Sequence, residues 1–258
     1  MSEPVLLVDE PAKGVRRLRL NRPQARNALS MELRRALVEA ITQASDDAQV
    51  RAVILAGNEQ AFAAGADIKD MAGASTVDMM GRGVLGLWRA TASCTKPVVA
   101  AVRGYALGGG CELALLSDLI IASDTARFGQ PEIRIGIIPG GGGTQRLVAA
   151  IGKHRAMKYL LTGATFTGRE AFEMGLASEA VPDDQVEVRA LAIASEIAAL
   201  SPLAVQQLKD VVLRGMDLPL DAGQALETKA LHLLFSTADQ KEGMAAFIEK
   251  RAPRFTGQ

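Results

Sequence analysis

Apolar and polar positions follow two rhythms along the chain. Val15-Arg16-Arg17-Leu18-Arg19-Leu20 partly alternates, as a strand with one wet face does, and Asn21-Arg22-Pro23 closes it with turn residues. From Ser30, which suits a helix N-cap, Leu33, Leu37, Ile41 and Ala44 recur at helical steps and predict an amphipathic helix packed on an apolar surface. Residues 53–56, 97–102 and 119–121 are short apolar runs rich in β-branched residues, which predict buried strands, largely parallel after Gly57. Helical stretches at roughly 77–92 and 109–116 lie between them, so strand and helix alternate as in an α/β protein. Beyond Asp183 the pattern is helical throughout, over about 184–200, 202–214, 220–235 and 240–250.

Composition narrows the class. The 258 residues are 48% hydrophobic and 22% charged, enough apolar material for a substantial core. Lys and Arg number 29 against 29 Asp and Glu, with no run of five like charges. The long-range attraction used by nucleic-acid and membrane binders is therefore missing, and neither partner is expected. Cys94 and Cys111 lack the paired spacing of zinc or redox motifs, which fits a reducing compartment. The start Met1-Ser2-Glu3-Pro4 has no secretory or transit character, and the apolar runs around Ser117 and Asp118 fall far short of the ~20 residues that cross a bilayer. A cytoplasmic location is expected.

Familiar templates fail in turn. Ser93-Cys94-Thr95-Lys96 has the spacing of an acylase motif, but no Lys-Thr-Gly accompanies it and Pro97 follows at once. Gly152-Lys153 lacks the glycine and the hydroxyl residue of a phosphate loop, and no dinucleotide fingerprint follows a first strand. His154 is expected at the surface and His232 half-buried in a helix, and no residues fall at metal-ligand spacing, so no metal is predicted.

The chemistry concentrates where glycines meet carboxylates. The strand at 97–102 runs through Arg103-Gly104-Tyr105-Ala106-Leu107 into Gly108-Gly109-Gly110, after which Cys111-Glu112-Leu113 can continue as a helix. Three glycines cost a helix stability, so they serve either an open row of backbone N–H groups or close packing of helix on sheet. Ala61-Phe62-Ala63-Ala64-Gly65-Ala66-Asp67 offers a second open N–H, with Asp67 suited to a helix first turn. Glu112 and Glu132 are the acids in apolar surroundings, either paired structurally or tuned for proton transfer.

Taken together, Leu20-Asn21-Arg22-Pro23 with Asn27-Ala28-Leu29, residues 62–68, residues 104–113, Phe128-Gly129-Gln130-Pro131-Glu132 and Pro139-Gly140 resemble the enoyl-CoA hydratase/isomerase (crotonase) family over nearly the whole chain. The resemblance implies an α/β spiral of ββα units, residues 1–200 forming the core with the acyl-CoA site. Residues 201–258 would form a helical region that builds a homotrimer or a hexamer of two trimers. It implies that the N–H groups of Ala66 and Gly109 form an oxyanion hole for the thioester carbonyl, which favours that role for the glycine row. Glu112 would activate water and Glu132 would exchange the proton at Cα. Ala64, Ala66, Asp67, Ile68, Lys69, Gly140, Phe247 and Lys250 match positions near the substrate and its CoA, the last two reaching a neighbouring subunit. No cofactor is implied, since coenzyme A is part of the substrate.

Both glutamate positions are filled, which favours a hydratase of trans-2-enoyl-CoA in fatty-acid or related catabolism over a double-bond isomerase. A hydratase of a substituted or dicarboxylic enoyl-CoA, as in aromatic catabolism, is the other alternative. A non-catalytic or RNA-binding relative is disfavoured by the balanced charge and the intact glutamate pair. Two departures stand out: Arg103 in place of asparagine, and Gly141 in place of alanine. Neither is expected to touch a catalytic position, although the extra glycine would free the loop and widen the acyl pocket. Residues 71–86 fall where relatives shape that pocket, with Met71, Met79 and Met80 expected as ordinary packing.

Overall fold

The structure, a computed structural model, describes residues 3–81 and 85–258, apart from the side chains of Lys69 and Leu85. The chain opens with a hairpin, β1 (Leu6–Ala12) and β2 (Val15–Leu20), then a 3₁₀ turn at Pro23–Ala25 and helix α1 (Met31–Asp46). Ser30 caps α1 through its hydroxyl, as its position predicts. Three strand–strand–helix units follow. The first is β3 (Ala52–Ala56), β4 (Ala61–Ala63) and the helices α2 (Ile68–Met71), α3 (Thr76–Gly81) and α4 (Leu85–Ala92). The second is β5 (Val98–Val102), β6 (Tyr105–Leu107) and α5 (Gly109–Leu115). The third is β7 (Leu119–Ser123), β8 (Arg127–Gly129), a 3₁₀ turn at Pro131–Ile135, α6 (Gly143–Ile151) and α7 (Lys153–Thr162). After them come β9 (Thr165–Thr167), α8 (Gly168–Glu173), β10 (Glu179–Val181), α9 (Val186–Ala198), α10 (Pro202–Gly215), α11 (Leu220–Leu234) and α12 (Ala238–Ile248).

The first strand of each unit joins a six-stranded sheet of order β1-β2-β3-β5-β7-β10, parallel from β2 onward. The second strand joins a four-stranded sheet of order β4-β6-β8-β9, in which only β9 is antiparallel. The large sheet is covered on both faces. Val53, Leu55, Val98 and Ala100 share one core with Leu33, Leu37 and Ile41 of α1, while Ile54, Val99 and Ile121 share another with Val186, Ala190 and Ala194 of α9. Burial on both faces is why these strands read as unbroken apolar runs. Alanines one turn apart along α9 let the helix lie close on the sheet.

The fold is thus α/β, with the expected strands and C-terminal helices. The stretch expected as one helix at 77–92 is two, α3 and α4, on either side of residues 82–84, which lie outside the described residues. His232 is exposed rather than half-buried, and Met80 is 81% exposed rather than packed, whereas Met71 and Met79 are half-buried.

Candidate active site

Three loops meet at one edge of the small sheet. Ala66 follows β4, Gly109 follows β6 and Glu132 follows β8, and these are neighbouring parallel strands. All three residues therefore emerge at the same carboxyl edge, where open parallel sheets present their sites. The first loop is pinned by Asn27, buried and at φ +56, whose Nδ2 donates to Ala61 O at 2.8 Å. Leu29 N–H then donates to Gly65 O at 2.8 Å, and among the described residues neither the Ala66 N–H nor the Gly109 N–H has a hydrogen-bond partner. A Cβ at Gly109 would lie 3.8 Å from Ala66 N, so the two free donors are neighbours.

Each glycine of the row has its own reason. Gly108 sits at φ +49, and a Cβ there would come within 2.6 Å of Glu132 Oε1. Gly110 packs helix on sheet, since a Cβ would overlap the carbonyl oxygen of Ala63. Gly109 has ordinary clearance, 3.4 Å to Leu29 Cδ1, and contributes its N–H. The two readings of the row, close packing and an open donor, therefore hold at different glycines.

Glu112, 3% exposed on α5, accepts through Oε1 from the N–H of Gly141 at 2.6 Å and of Gly143 at 2.9 Å. Gly141 thus touches a predicted catalytic residue, contrary to expectation. A Cβ at 141 would lie 2.5 Å from Trp88 Cε2 and 2.7 Å from Glu112 Oε2, so the indole fills the space the glycine leaves and the pocket gains no width there. Arg103, the other departure, is paired with Asp183 away from the glutamates.

Glu132 is half-buried in the 3₁₀ turn, and its Oε2 meets no partner among the described residues. Burial, reinforced by the charge of Glu112, pushes its carboxyl up to about 7. One carboxylate is thus held by two N–H donors and the other is raised toward neutrality, the division of environments that separates a base from an acid.

The other predicted residues are less involved. Ala64 N–H donates to Arg26 O, and Asp67, at the N-terminus of α2, accepts from Arg22 at 3.2 Å rather than capping the helix. Ile68 and Gly140 are exposed, and the side chain of Lys69 lies outside the described part of the chain. Phe247 and Lys250, both exposed at the end of α12, share no hydrogen bond or ion pair with the glutamates. Sequence reasoning missed Trp88, a lone tryptophan whose indole packs against Gly109 and Gly141.

Comparison with known proteins places the chain in a family. The family description "Enoyl-CoA hydratase/isomerase" matches residues 10–258. A probable enoyl-CoA hydratase of Mycobacterium bovis is 46% identical over 254 residues, 98% of each chain. The 2,3-dehydroadipyl-CoA hydratase of Escherichia coli is 44% identical over 241 residues, 93% of this chain and 94% of that one. The crystal structure of an enoyl-CoA hydratase from Bacillus anthracis superposes with a TM-score of 0.95 at 38% identity, covering 98% of this chain and all of the other. The chain belongs to the enoyl-CoA hydratase/isomerase family, and its fold is the crotonase spiral.

Proposed function

We propose that the protein is a hydro-lyase that adds water reversibly across the double bond of a trans-2-enoyl-CoA, giving the 3-hydroxyacyl-CoA. The observation that carries this reading is the pair Glu112 and Glu132 beside two unpartnered N–H groups. The thioester oxygen sits between the N–H groups of Ala66 and Gly109. Glu112 takes a proton from water as its oxygen bonds to Cβ, the π electrons move onto the thioester oxygen as an enolate, and Glu132 delivers its proton to Cα. Backbone donors need no reorganisation as that charge develops, and one such donor is typically worth about 10²–10³ in rate. Coenzyme A enters with the substrate, and no separate cofactor takes part. Relatives named as hydratases support the activity, and the Escherichia coli relative extends it to a dicarboxylic acyl group.

The test is loss of the conjugated enoyl-thioester absorbance with crotonyl-CoA. Glu112→Gln and Glu132→Gln are each expected to lower turnover by at least ~10² with the fold intact, since each removes one proton transfer. Near-normal turnover in either variant removes that residue from the mechanism. Conjugated absorbance appearing from a 3-enoyl-CoA, without hydration of the 2-enoyl substrate, would make the protein an isomerase.

A further inference from the structure

The Ala66 N–H group is one half of a peptide whose other half is held. The carbonyl of that same peptide, Gly65 O, accepts from Leu29 N–H at 2.8 Å. In a trans peptide the C=O and N–H bonds point in opposite directions, so this contact turns the Ala66 N–H away from Leu29. The pattern repeats one step back. Leu29 N–H shares its peptide with the Ala28 carbonyl, and Ala28 O accepts from Arg22 Nη1 at 2.5 Å and from Ser30 N–H at 2.9 Å. A guanidinium and two peptides thus form one hydrogen-bonded line, and among the described residues the line ends uncommitted at Ala66.

Each joint of the line is braced. Gly65 sits at φ +103, where a Cβ would also meet Leu107 O at 3.1 Å, so glycine lets the Gly65–Ala66 peptide take this turn. Arg22 N–H donates to Asn27 Oδ1 and Asn27 N–H to Arg22 O, both at 2.9 Å, so the segment that carries the cation closes on itself. The guanidinium is steered by Asp67 Oδ2, 3.2 Å from Nη2 and 3.3 Å from Nη1, with the two side chains 17% and 19% exposed. Asp67 directly follows Ala66 and makes no cap hydrogen bond to α2, although an acid at a helix N-cap ordinarily accepts from its own helix. A cation at the carbonyl end of an aligned peptide draws electrons toward itself and leaves the N–H at the far end a stronger donor. Successive hydrogen bonds in such a line polarise one another.

We propose that Arg22 strengthens the oxyanion donor of Ala66 through these two peptides. Arg22 is a positioning residue rather than a catalytic one, since it touches no reacting atom. The proposal rests on the hydratase reading above and adds the source of the donor's strength.

The thioester carbonyl reports the effect. Isotope-edited infrared spectra of butanoyl-CoA labelled with carbon-13 at its carbonyl, a saturated ligand with no double bond to hydrate, read how far the C=O stretch moves to lower wavenumber on binding. Arg22→Met is expected to shrink that shift, and Arg22→Lys, which keeps the charge, to restore most of it. With crotonyl-CoA, Arg22→Met is expected to lower kcat about tenfold with KM within about twofold, less than the 10²–10³ typical of losing such a donor outright. Arg22→Gln, which can still donate to Ala28 O without the charge, carries the same test should Arg22→Met not fold. An unchanged carbonyl shift in the folded uncharged variant overturns the proposal even where turnover falls, and so does a shift in Arg22→Lys no larger than in that variant. A carbonyl shift that depends on Arg22, in a protein that does not hydrate crotonyl-CoA, keeps the proposal and removes the hydratase reading instead.

Discussion

Glu112 and Glu132 have the same side chain in different settings, and the difference predicts a pH profile. Glu132 is desolvated and carries an unpartnered oxygen, which holds its proton up to about pH 7. Hydration consumes the protonated form, so kcat/KM for crotonyl-CoA should fall as pH rises through about 7, and the reverse dehydration should fall as pH drops below it. Folding carries the same signature. Because the folded carboxyl binds its proton more tightly than an unfolded one near 4.5, this residue costs stability as pH rises from about 4.5 to 7. Glu132→Gln should therefore be more stable than the unaltered protein at pH 8 and level with it at pH 4, measured by denaturant midpoints. A gain that shrinks with rising pH would contradict the burial of this carboxyl.

At the scale of elements, legibility followed length and burial. Strands β3, β5 and β7 have five residues each and lie between two helical layers, so their apolar runs were plain in the sequence. Strands β4, β6, β8 and β9 have three residues each, too few to show a period, and the small sheet that carries the site went unread. Glu112, Glu132 and the glycine row were visible as chemistry. The role of Gly141 was not, because its reason is Trp88, far earlier in the chain. Helix α5 meets β4 at Gly110, where no methyl group fits against Ala63 O. Gly110→Ala should therefore lower stability by about 3 kcal/mol, the upper part of the usual range for overpacking, and should lower turnover by tilting Gly109 out of place. Unchanged unfolding in urea would show that α5 can shift freely.

The whole molecule presents two surfaces of different kinds. Around the spiral, arginines pair with acids, as Arg17 and Arg19 do with Glu187 of α9. Helices α10 to α12 instead expose Leu208, Val212, Leu231, Phe235, Phe247 and Ile248. Apolar surface on this scale is suited to burial against further copies of the chain. Light scattering at micromolar concentration is expected to give the mass of three or six chains, and a monomer would remove both assemblies. The neighbouring parallel strands β4 and β6 have a further consequence. The Ala66 and Gly109 N–H groups are carried on loops that leave these two paired strands, so backbone pairing rather than any side chain sets how they face each other. The sheet therefore acts as a ruler for the reacting carbonyl. Side-chain substitutions elsewhere around the site leave that graduation unchanged.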